Sequence, residues 1–281
     1  MYVNPRAPGP EAGPGAEPET TPTPTPTSAP ATVRDLFSLE GRVVLVTGGS
    51  SGLGVSLALG CAEAGAAVVL VARTAERLSA VAARLAARGH RCLGVPADVV
   101  DPDACQGAVD RAVAELGRVD VLLNNAGVAT AYPATREDPA EFRRVVDVNL
   151  NGAYWMAQAC GRVMPSGSSI VNVSSVLGIT TAGLPQAAYS ASKAALFGLT
   201  RDLAQQWGPR KGIRVNALVP GFFATERTAG EPDRLAGSER LLLGRRGRPE
   251  ELAATVVWLV SGAGAYVTGQ AIVVDGGFSI T

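Results

Sequence analysis

Short apolar segments with strand character alternate with longer segments of helical periodicity from residue 41 onwards. The apolar segments are 41–47, 67–72, 92–95, 119–123, 169–173, 213–218 and 271–274. The helical segments are 53–64, 74–88, 102–116, two stretches within 138–164, 187–207 and 249–260. Strands that are apolar on both faces and separated by helices are typical of a parallel sheet covered by helices on both sides. The sequence therefore predicts an α/β fold with one doubly wound parallel sheet of about seven strands.

Residues 1–34 differ sharply in composition from the rest of the chain. Nine of the 19 prolines lie in the first 30 residues, and threonine alternates with proline from Thr21 to Thr27. Such a segment has too few apolar groups to offset its ordering entropy by burial. We predict a disordered Pro/Thr-rich extension over 1–34 and one folded domain over 35–281. A dispensable extension is favoured over a spacer or docking arm, and its composition fits neither a secretory signal nor a transit peptide.

Charge and cysteine content argue against several classes of protein. Twenty-five Lys and Arg residues balance 25 Asp and Glu residues, which disfavours binding to nucleic acid or to a membrane surface. No apolar run reaches about 18 residues, so no membrane span is expected. Four scattered cysteines and one histidine indicate neither a zinc site nor a disulfide framework, and no metal is predicted. We expect a cytoplasmic protein that acts on a small molecule.

A glycine-rich turn follows the first apolar segment and leads directly into a helical one. It reads Thr47-Gly48-Gly49-Ser50-Ser51-Gly52-Leu53-Gly54. Glycines allow a sharp turn and close approach of the backbone to a pyrophosphate, which the free N–H groups of the helix N terminus can bind. No Gly-Lys-Ser/Thr sequence follows, so this is not a Walker A loop. The context predicts a Rossmann-like dinucleotide site, the alternative being a structural turn in a chain with 33 glycines.

Tyr189 and Lys193 lie four residues apart in a predicted helix, which puts both side chains on one face. A neighbouring ammonium favours the phenolate, so we expect the pKa of Tyr189 to fall toward neutrality. A tyrosine with such a pKa can donate and accept a proton near pH 7. Lys193 and Lys211 are the only two lysines of the chain, which weighs against a chance pairing. The alternative is an ordinary surface helix.

The glycine turn and the Tyr-x-x-x-Lys pair, in this order, resemble the short-chain dehydrogenase/reductase family. The resemblance covers about residues 36–281. It extends to Asn124-Asn125-Ala126-Gly127 after the fourth apolar segment, to Asn149, to Ser174-Ser175-Val176-Leu177-Gly178, and to Pro220-Gly221-Phe222-Phe223-Ala224-Thr225. Singly, these residues could be turn formers or helix caps.

The resemblance implies a role for each matching residue. Tyr189 would exchange the proton with the substrate oxygen, and Lys193 would lower its pKa and bind the nicotinamide ribose. Ser175 would donate a hydrogen bond to the substrate oxygen. It lies 14 residues before Tyr189, where 13 is commoner, so Ser174 is the alternative. Asn149 would hold a water in the proton relay.

Cofactor contacts are implied along the same motifs. The residues are Gly48, Ser50, Ser51, Gly52, Leu53, Gly54, Arg73, Asp98, Val99, Asn125, Ala126, Gly127, Tyr189, Lys193, Pro220, Gly221, Phe223 and Thr225. The second apolar segment ends at Ala72 without the acidic residue that often holds the ribose 2′-hydroxyl of NAD. Arg73 follows and could pair with a 2′-phosphate. NADP(H) is therefore favoured, with NAD(H) as the alternative.

The implied reaction is hydride transfer between a nicotinamide cofactor and a carbonyl or secondary alcohol. Weaker resemblances point to the gluconate 5-dehydrogenase branch, hence a sugar-acid substrate, or to 3-oxoacyl thioester reductases. A non-catalytic dinucleotide-binding regulator is the alternative from another class. Residues 225–243 resemble a mobile lid over the site. The family often forms homotetramers, so a homotetramer or homodimer is expected.

Overall fold

Seven parallel strands form one open sheet in the computed structural model, which describes residues 32–225 and 240–281. The strands β1 to β7 are Val43–Thr47, Ala67–Ala72, Cys92–Pro96, Val121–Asn124, Ser169–Val173, Arg214–Pro220 and Ala271–Val274. Their order across the sheet is β3-β2-β1-β4-β5-β6-β7, and every neighbouring pair is parallel. The predicted fold class is confirmed.

Helices connect the strands and cover both faces of the sheet. The helices α1 to α7 are Leu53–Glu63, Ala75–Ala86, Pro102–Leu116, Pro139–Val146, Gly152–Val163, Ala187–Lys211 and Pro249–Val260. A π-helical turn, Asp147–Asn151, joins α4 to α5, so the predicted pair of stretches within 138–164 is one continuous helical run. Short 3₁₀ helices occur at Asp35–Phe37, Val176–Gly178, Gly262–Gly264 and Phe278–Ile280.

Local capping explains why α3 has the limits that the sequence predicts. The Asp101 carboxylate accepts hydrogen bonds from the backbone N–H groups of Asp103 (2.9 Å) and Ala104 (3.2 Å). Pro102 opens the helix, where its missing N–H is no loss. Gly117 ends the helix with φ of 85°, a left-handed conformation that glycine adopts without steric cost.

Two apolar cores sandwich the sheet. Because side chains alternate along a strand, Val44 and Val46 of β1 pack with α1, α2 and α7. Val43 and Leu45 of the same strand pack with α3, α5 and α6 on the opposite face. No helix among residues 32–225 and 240–281 is long and apolar enough to cross a membrane.

The predicted extension falls almost entirely outside the described residues, which begin at Thr32. The Thr32 hydroxyl and backbone N–H donate hydrogen bonds to the Asp35 carboxylate, at 2.7 and 2.8 Å. The predicted lid also falls mainly outside them, since 226–239 are not described.

The strand order fixes where a ligand can bind. The chain runs outward from β1 to β3 on one side and from β4 to β7 on the other. The connections therefore diverge between β1 and β4 and leave a crevice at the carboxyl ends of the strands.

Candidate active site

The predicted site residues follow the carboxyl ends of six strands. Those that come within two residues of the ends of β1 to β6 include Gly48, Arg73, Asp98, Asn125, Ser175 and Gly221. Since all strands are parallel, these residues share one edge of the sheet.

The glycine turn is shaped for close backbone approach at that edge. Gly48 has φ of 65°, and a Cβ built on it would lie 2.9 Å from the Ala126 Cα. A Cβ on Gly54 would collide with the Gly48 carbonyl oxygen. Gly52, which precedes α1, has φ of 56°, open space around its built Cβ and no side-chain cap. Because no side chain caps α1, the N–H groups of Leu53 and Gly54 at its start face the turn without a side-chain acceptor among the described residues, which fits a pyrophosphate.

Thr47 and Asn125 hold the glycine turn against the end of β4. The Thr47 hydroxyl accepts hydrogen bonds from the backbone N–H groups of Asn125 and Ala126, both at 3.0 Å. The Asn125 amide donates to the Thr47 carbonyl at 2.9 Å. The side chain of Asn125 therefore supports the turn instead of pointing freely at a ligand. Ser50 and Ser51, half-buried, lie at the tip of the turn.

Arg73 and Asp98 lie where an adenosine half would extend beyond β2 and β3. Arg73 is exposed and, among the described residues, makes no hydrogen bond or ion pair. A guanidinium with free donors fits a phosphate. The Asp98 carboxylate accepts a hydrogen bond from the Val100 backbone N–H at 3.2 Å. Val99 is buried, and a Cβ on Gly152 would lie 2.7 Å from its Cγ2.

Tyr189 and Lys193 project from one face of α6 toward the end of β5. The Lys193 ammonium is buried, donates a hydrogen bond to the Val173 carbonyl at 2.7 Å, and lies 5.7 Å from the centre of the Tyr189 ring. The side chain of Ser175 lies close enough to that of Tyr189 to lower the pKa of the tyrosine. The structure thus brings Ser175, Tyr189 and Lys193 together.

The prediction that the pKa of Tyr189 falls is wrong for the protein chain alone. Burial raises the pKa of Tyr189 and outweighs the hydrogen bond from Ser175, which lowers it. Burial also lowers the pKa of Lys193 to about 8. Attraction to the ammonium alone would lower the pKa of Tyr189, but Tyr189 is partly buried, Lys193 is buried, and the ammonium is bound to the Val173 carbonyl.

The structure separates the two serine candidates. The buried Ser174 hydroxyl donates to the Lys193 carbonyl at 2.7 Å, so it ties β5 to α6. Ser175 contacts Tyr189 and also accepts a hydrogen bond from the Leu177 N–H at 3.2 Å. The geometry therefore favours Ser175 as the residue beside a substrate oxygen.

Asn149 lies in the π-helical turn between α4 and α5, and its side chain is buried. Its amide oxygen accepts from the Val128 N–H at 2.8 Å, and its amide nitrogen donates to the Val128 carbonyl at 2.9 Å and to the Ser192 hydroxyl at 2.9 Å. A Cβ built on Gly127 would lie 3.4 Å from both Asn149 Oδ1 and Lys193 Nζ. These residues therefore meet at one point. Ser192 was missed because it occupies an unassigned position within the Tyr-x-x-x-Lys segment.

The Pro220–Thr225 segment leaves the end of β6 under tight constraint. The Gly221 N–H donates to the Val274 carbonyl at 2.9 Å, and a Cβ on Gly221 would lie 2.7 Å from the Asp275 Cα. The Phe223 side chain is 7% exposed and belongs to the apolar core that also contains residues of α1 and α7. Only its backbone is left to face a ligand. Thr225 is the last residue described before the gap.

A third apolar cluster lies beside Tyr189. Its buried members are Val176, Leu177, Val219, Leu241 and Phe278, and its partly buried members are Ala182, Tyr189, Phe197 and Phe222. Phe278 and Phe222 pack edge to face at 5.0 Å between ring centres. The Arg240 guanidinium stacks on the Phe278 ring at 4.0 Å and donates to the Thr181 carbonyl at 2.6 Å. The residues that neighbour Arg240 and Phe278 in the sequence do not indicate that these two side chains pack together here.

Within the described ranges, no group of three His, Cys, Asp or Glu side chains is arranged to hold a metal ion.

The sequence of this chain is similar to a protein-family model and to several characterised dehydrogenases and reductases. A family model described as "Enoyl-(Acyl carrier protein) reductase" matches residues 48–279. Galactitol 2-dehydrogenase (L-tagatose-forming) of Cereibacter sphaeroides is 40% identical over 255 residues, which cover 88% of this chain and 98% of that enzyme. A rhamnolipids biosynthesis 3-oxoacyl-(acyl-carrier-protein) reductase of Pseudomonas aeruginosa is 38% identical over 255 residues, covering 87% of this chain and 98% of the relative.

Solved structures show the same fold. A gluconate 5-dehydrogenase from Burkholderia cenocepacia J2315, in complex with NADP and tartrate, matches with a TM-score of 0.82 and 33% identity. The match covers 89% of this chain and 100% of that one.

Proposed function

The chain belongs to the short-chain dehydrogenase/reductase family, and on this premise we propose that it interconverts a carbonyl and a secondary alcohol by hydride transfer. One observation carries the proposal. Ser175, Tyr189 and Lys193 converge at the end of β5, on the same sheet edge as the uncapped N terminus of α1. A dinucleotide held at that terminus and a proton donor at β5 are the two requirements of this reaction.

The chain's own residues handle the proton and the charge. In the direction of reduction, the Tyr189 hydroxyl gives its proton to the substrate oxygen, and in oxidation the tyrosinate removes it. The Ser175 hydroxyl donates a hydrogen bond to the same oxygen as its negative charge changes. Lys193 holds positive charge beside Tyr189, and Asn149 orders the path by which a proton returns from solvent. NADP(H), when bound, supplies or accepts the hydride.

We assign NADP(H) as the favoured cofactor and NAD(H) as the alternative. Support comes from the exposed Arg73, whose donors are free among the described residues, and from the missing acidic residue at Ala72. The similar gluconate 5-dehydrogenase carries NADP in its crystal structure. The backbone N–H groups at Gly52 to Gly54 would hold the pyrophosphate, and Gly127 and Lys193 lie where the nicotinamide ribose would be bound.

The first substrate class to test is a polyol or sugar acid. This follows the printed activities of the galactitol 2-dehydrogenase and gluconate 5-dehydrogenase relatives. A 3-oxoacyl thioester is the alternative, favoured by the rhamnolipid-type reductase at 38% identity. The predicted cytoplasmic location and homo-oligomeric assembly belong to the same proposal. Light scattering after gel filtration tests the assembly, since a monomer would contradict it.

The function is tested by NADPH and NADH oxidation at 340 nm over a panel of 5-ketogluconate, tagatose, acetoacetyl thioesters and cyclic ketones. Tyr189→Phe, which removes only the hydroxyl, is the matched control. We expect NADPH-dependent turnover that falls at least about 1000-fold in the variant, because the proton donor is lost. Tight NADPH binding without turnover of any carbonyl would favour the non-catalytic regulator instead.

A further inference from the structure

Ser192 occupies a special position on α6, three residues after Tyr189 and one before Lys193. Its side chain is buried, with 1% of its surface exposed. A buried hydroxyl needs hydrogen-bond partners, and those partners reveal what the residue is fixed to.

The Ser192 hydroxyl makes one hydrogen bond in each direction. It donates to the Tyr189 carbonyl at 2.7 Å and accepts from the Asn149 amide at 2.9 Å. The same Asn149 amide donates to the Val128 carbonyl, and its oxygen accepts from the Val128 N–H. Both N–H donors of the Asn149 side chain are therefore used, one toward α6 and one toward the chain that follows β4.

We propose that Ser192 is a positioning residue that fixes Asn149 to the helix carrying Tyr189 and Lys193. The inference rests on the proposed function, because it assigns a purpose to the alignment of these groups. Ser192 acts through Asn149 and Val128 and touches neither substrate nor cofactor in this scheme. The π-helical turn is what brings Asn149 to this point, since it interrupts the regular spacing between α4 and α5.

Loss of the hydroxyl has a defined structural consequence. Without it, one Asn149 N–H is buried with no acceptor, and Asn149 must rotate to find one. That rotation also moves Val128 and the adjoining Gly127, whose built Cβ lies 3.4 Å from Lys193 Nζ. The groups around the reacting atoms then lose their mutual alignment, to which rates are sensitive.

Ser190 provides an internal control. It lies on the same helix two residues earlier and is partly buried, and within the described residues its hydroxyl has no hydrogen-bond partner. The S190A substitution removes one hydroxyl oxygen from α6, as S192A does, but it breaks no contact with Asn149.

The test compares S192A and S190A, together with the isosteric pair S192T and S192V. Threonine keeps a hydroxyl that can bond the preceding turn, whereas valine has the same shape without it. We expect kcat to fall about tenfold in S192A and S192V, with the substrate KM within about twofold. S192T is expected to stay within about threefold of the wild type, and S190A to match it. Equal kcat values for S192T and S192V would overturn the proposal.

A double-mutant cycle with N149A tests the route of the effect. If Ser192 acts through Asn149, adding S192A to N149A lowers kcat by less than about twofold. A further tenfold loss in that background would show an independent structural role and overturn the proposal. A wild type that binds NADPH but turns over no carbonyl would overturn the proposed function as well, whereas an active wild type with an equally active S192A overturns only this inference.

Discussion

The two sides of the candidate site are built in different ways. On the glycine-turn side, Gly48, Gly52 and Gly54 are close in sequence, and the backbone itself forms the surface that fits a ligand. On the other side, the third apolar cluster joins Leu177 to Phe278, about one hundred residues later in the chain. The first side depends on the left-handed backbone of Gly48 and Gly52 and on the close contact at Gly54, and the second depends on packing between side chains that are distant in the sequence.

This difference explains which function each side can serve. A surface made of backbone N–H groups recognises a feature that is the same in every dinucleotide. A surface made of side chains from distant segments can differ in shape while the backbone of the glycine turn stays the same. We therefore expect variants of the two sides to separate cofactor binding from carbonyl binding and from stability.

The largest effect is expected for Phe278→Ala. Phe278 is 1% exposed and packs against Phe222 in the third cluster. Its loss should lower the free energy of unfolding by about 3–5 kcal/mol, the usual range for a buried phenylalanine, and raise the carbonyl KM. Urea unfolding measures the first effect, and Phe37→Ala, at a residue 40% exposed, is the control. If NADPH affinity fell as much as carbonyl affinity, the division between the two sides would not hold.

Gly54→Ala tests the opposite side. The new Cβ would overlap the Gly48 carbonyl oxygen and lie 2.6 Å from the Asn125 amide nitrogen, and the backbone cannot move without reshaping the turn. We expect the Kd for NADPH to rise about 100-fold, close to 3 kcal/mol, in a fluorescence titration. Gly107→Ala is the control, since its built Cβ meets nothing within 4 Å on the exposed face of α3. Unchanged NADPH affinity in Gly54→Ala would remove the dinucleotide assignment of the turn.

Lys193 lies between the two sides, and its burial predicts a pH-dependent stability. Burial lowers its pKa from 10.5 to about 8, so the unfolded chain holds this proton more tightly than the folded chain. The stability of the wild type should therefore rise as pH increases from about 8 to about 10.5. Below pH 8 the folded chain bears the full cost of the buried charge, on the order of 3 kcal/mol.

Lys193→Met removes that charge and should abolish turnover while stabilising the chain. We expect its advantage in the free energy of unfolding to be largest below pH 8 and to shrink toward pH 10.5, as measured by urea titration at several pH values without cofactor. Lys211→Met, at the end of α6, is the comparison. A constant difference between Lys193→Met and the wild type across this range would mean that Lys193 does not titrate as its burial implies.

The sequence predicts those parts of the molecule whose structure is determined by residues close together in the chain. Strand limits agree to within about two residues because apolar runs end where turn residues begin, and α3 agrees fully because Asp101 and Gly117 cap it. The glycine turn and the Tyr189–Lys193 pair could be placed for the same reason. The burial of the Phe223 side chain could not be predicted, because it depends on a core that is assembled from segments remote in sequence.

Two features of the site required three-dimensional information. The hydrogen bond between Asn149 and Ser192 joins residues 43 positions apart and depends on the π-helical turn. The amino-acid composition of that segment does not indicate a π-helical turn. The direction of the Tyr189 pKa shift reflects desolvation, which depends on how helices and loops enclose the ring. Both depend on packing between distant elements, as the third cluster does.

The smallest effect on stability is expected for substitution of Arg240, whose side chain packs against Phe278 of the third apolar cluster. Its guanidinium stacks on Phe278 and donates to the Thr181 carbonyl, and the Thr281 hydroxyl donates to its carbonyl at 3.0 Å. Arg240→Ala loses a half-buried cation–π contact and a charged hydrogen bond, so we expect the free energy of unfolding in urea to fall by about 1–2 kcal/mol. Arg240→Lys keeps the charge but loses the planar fork, and it should recover less than half of that loss. Arg84→Ala, at an exposed arginine of α2 for which the described residues show no hydrogen bond or ion pair, should change nothing in the same urea unfolding assay. If Arg240→Ala raised the NADPH Kd more than the carbonyl KM, Arg240 would belong to the cofactor side, and the boundary between the two sides would have to be drawn elsewhere.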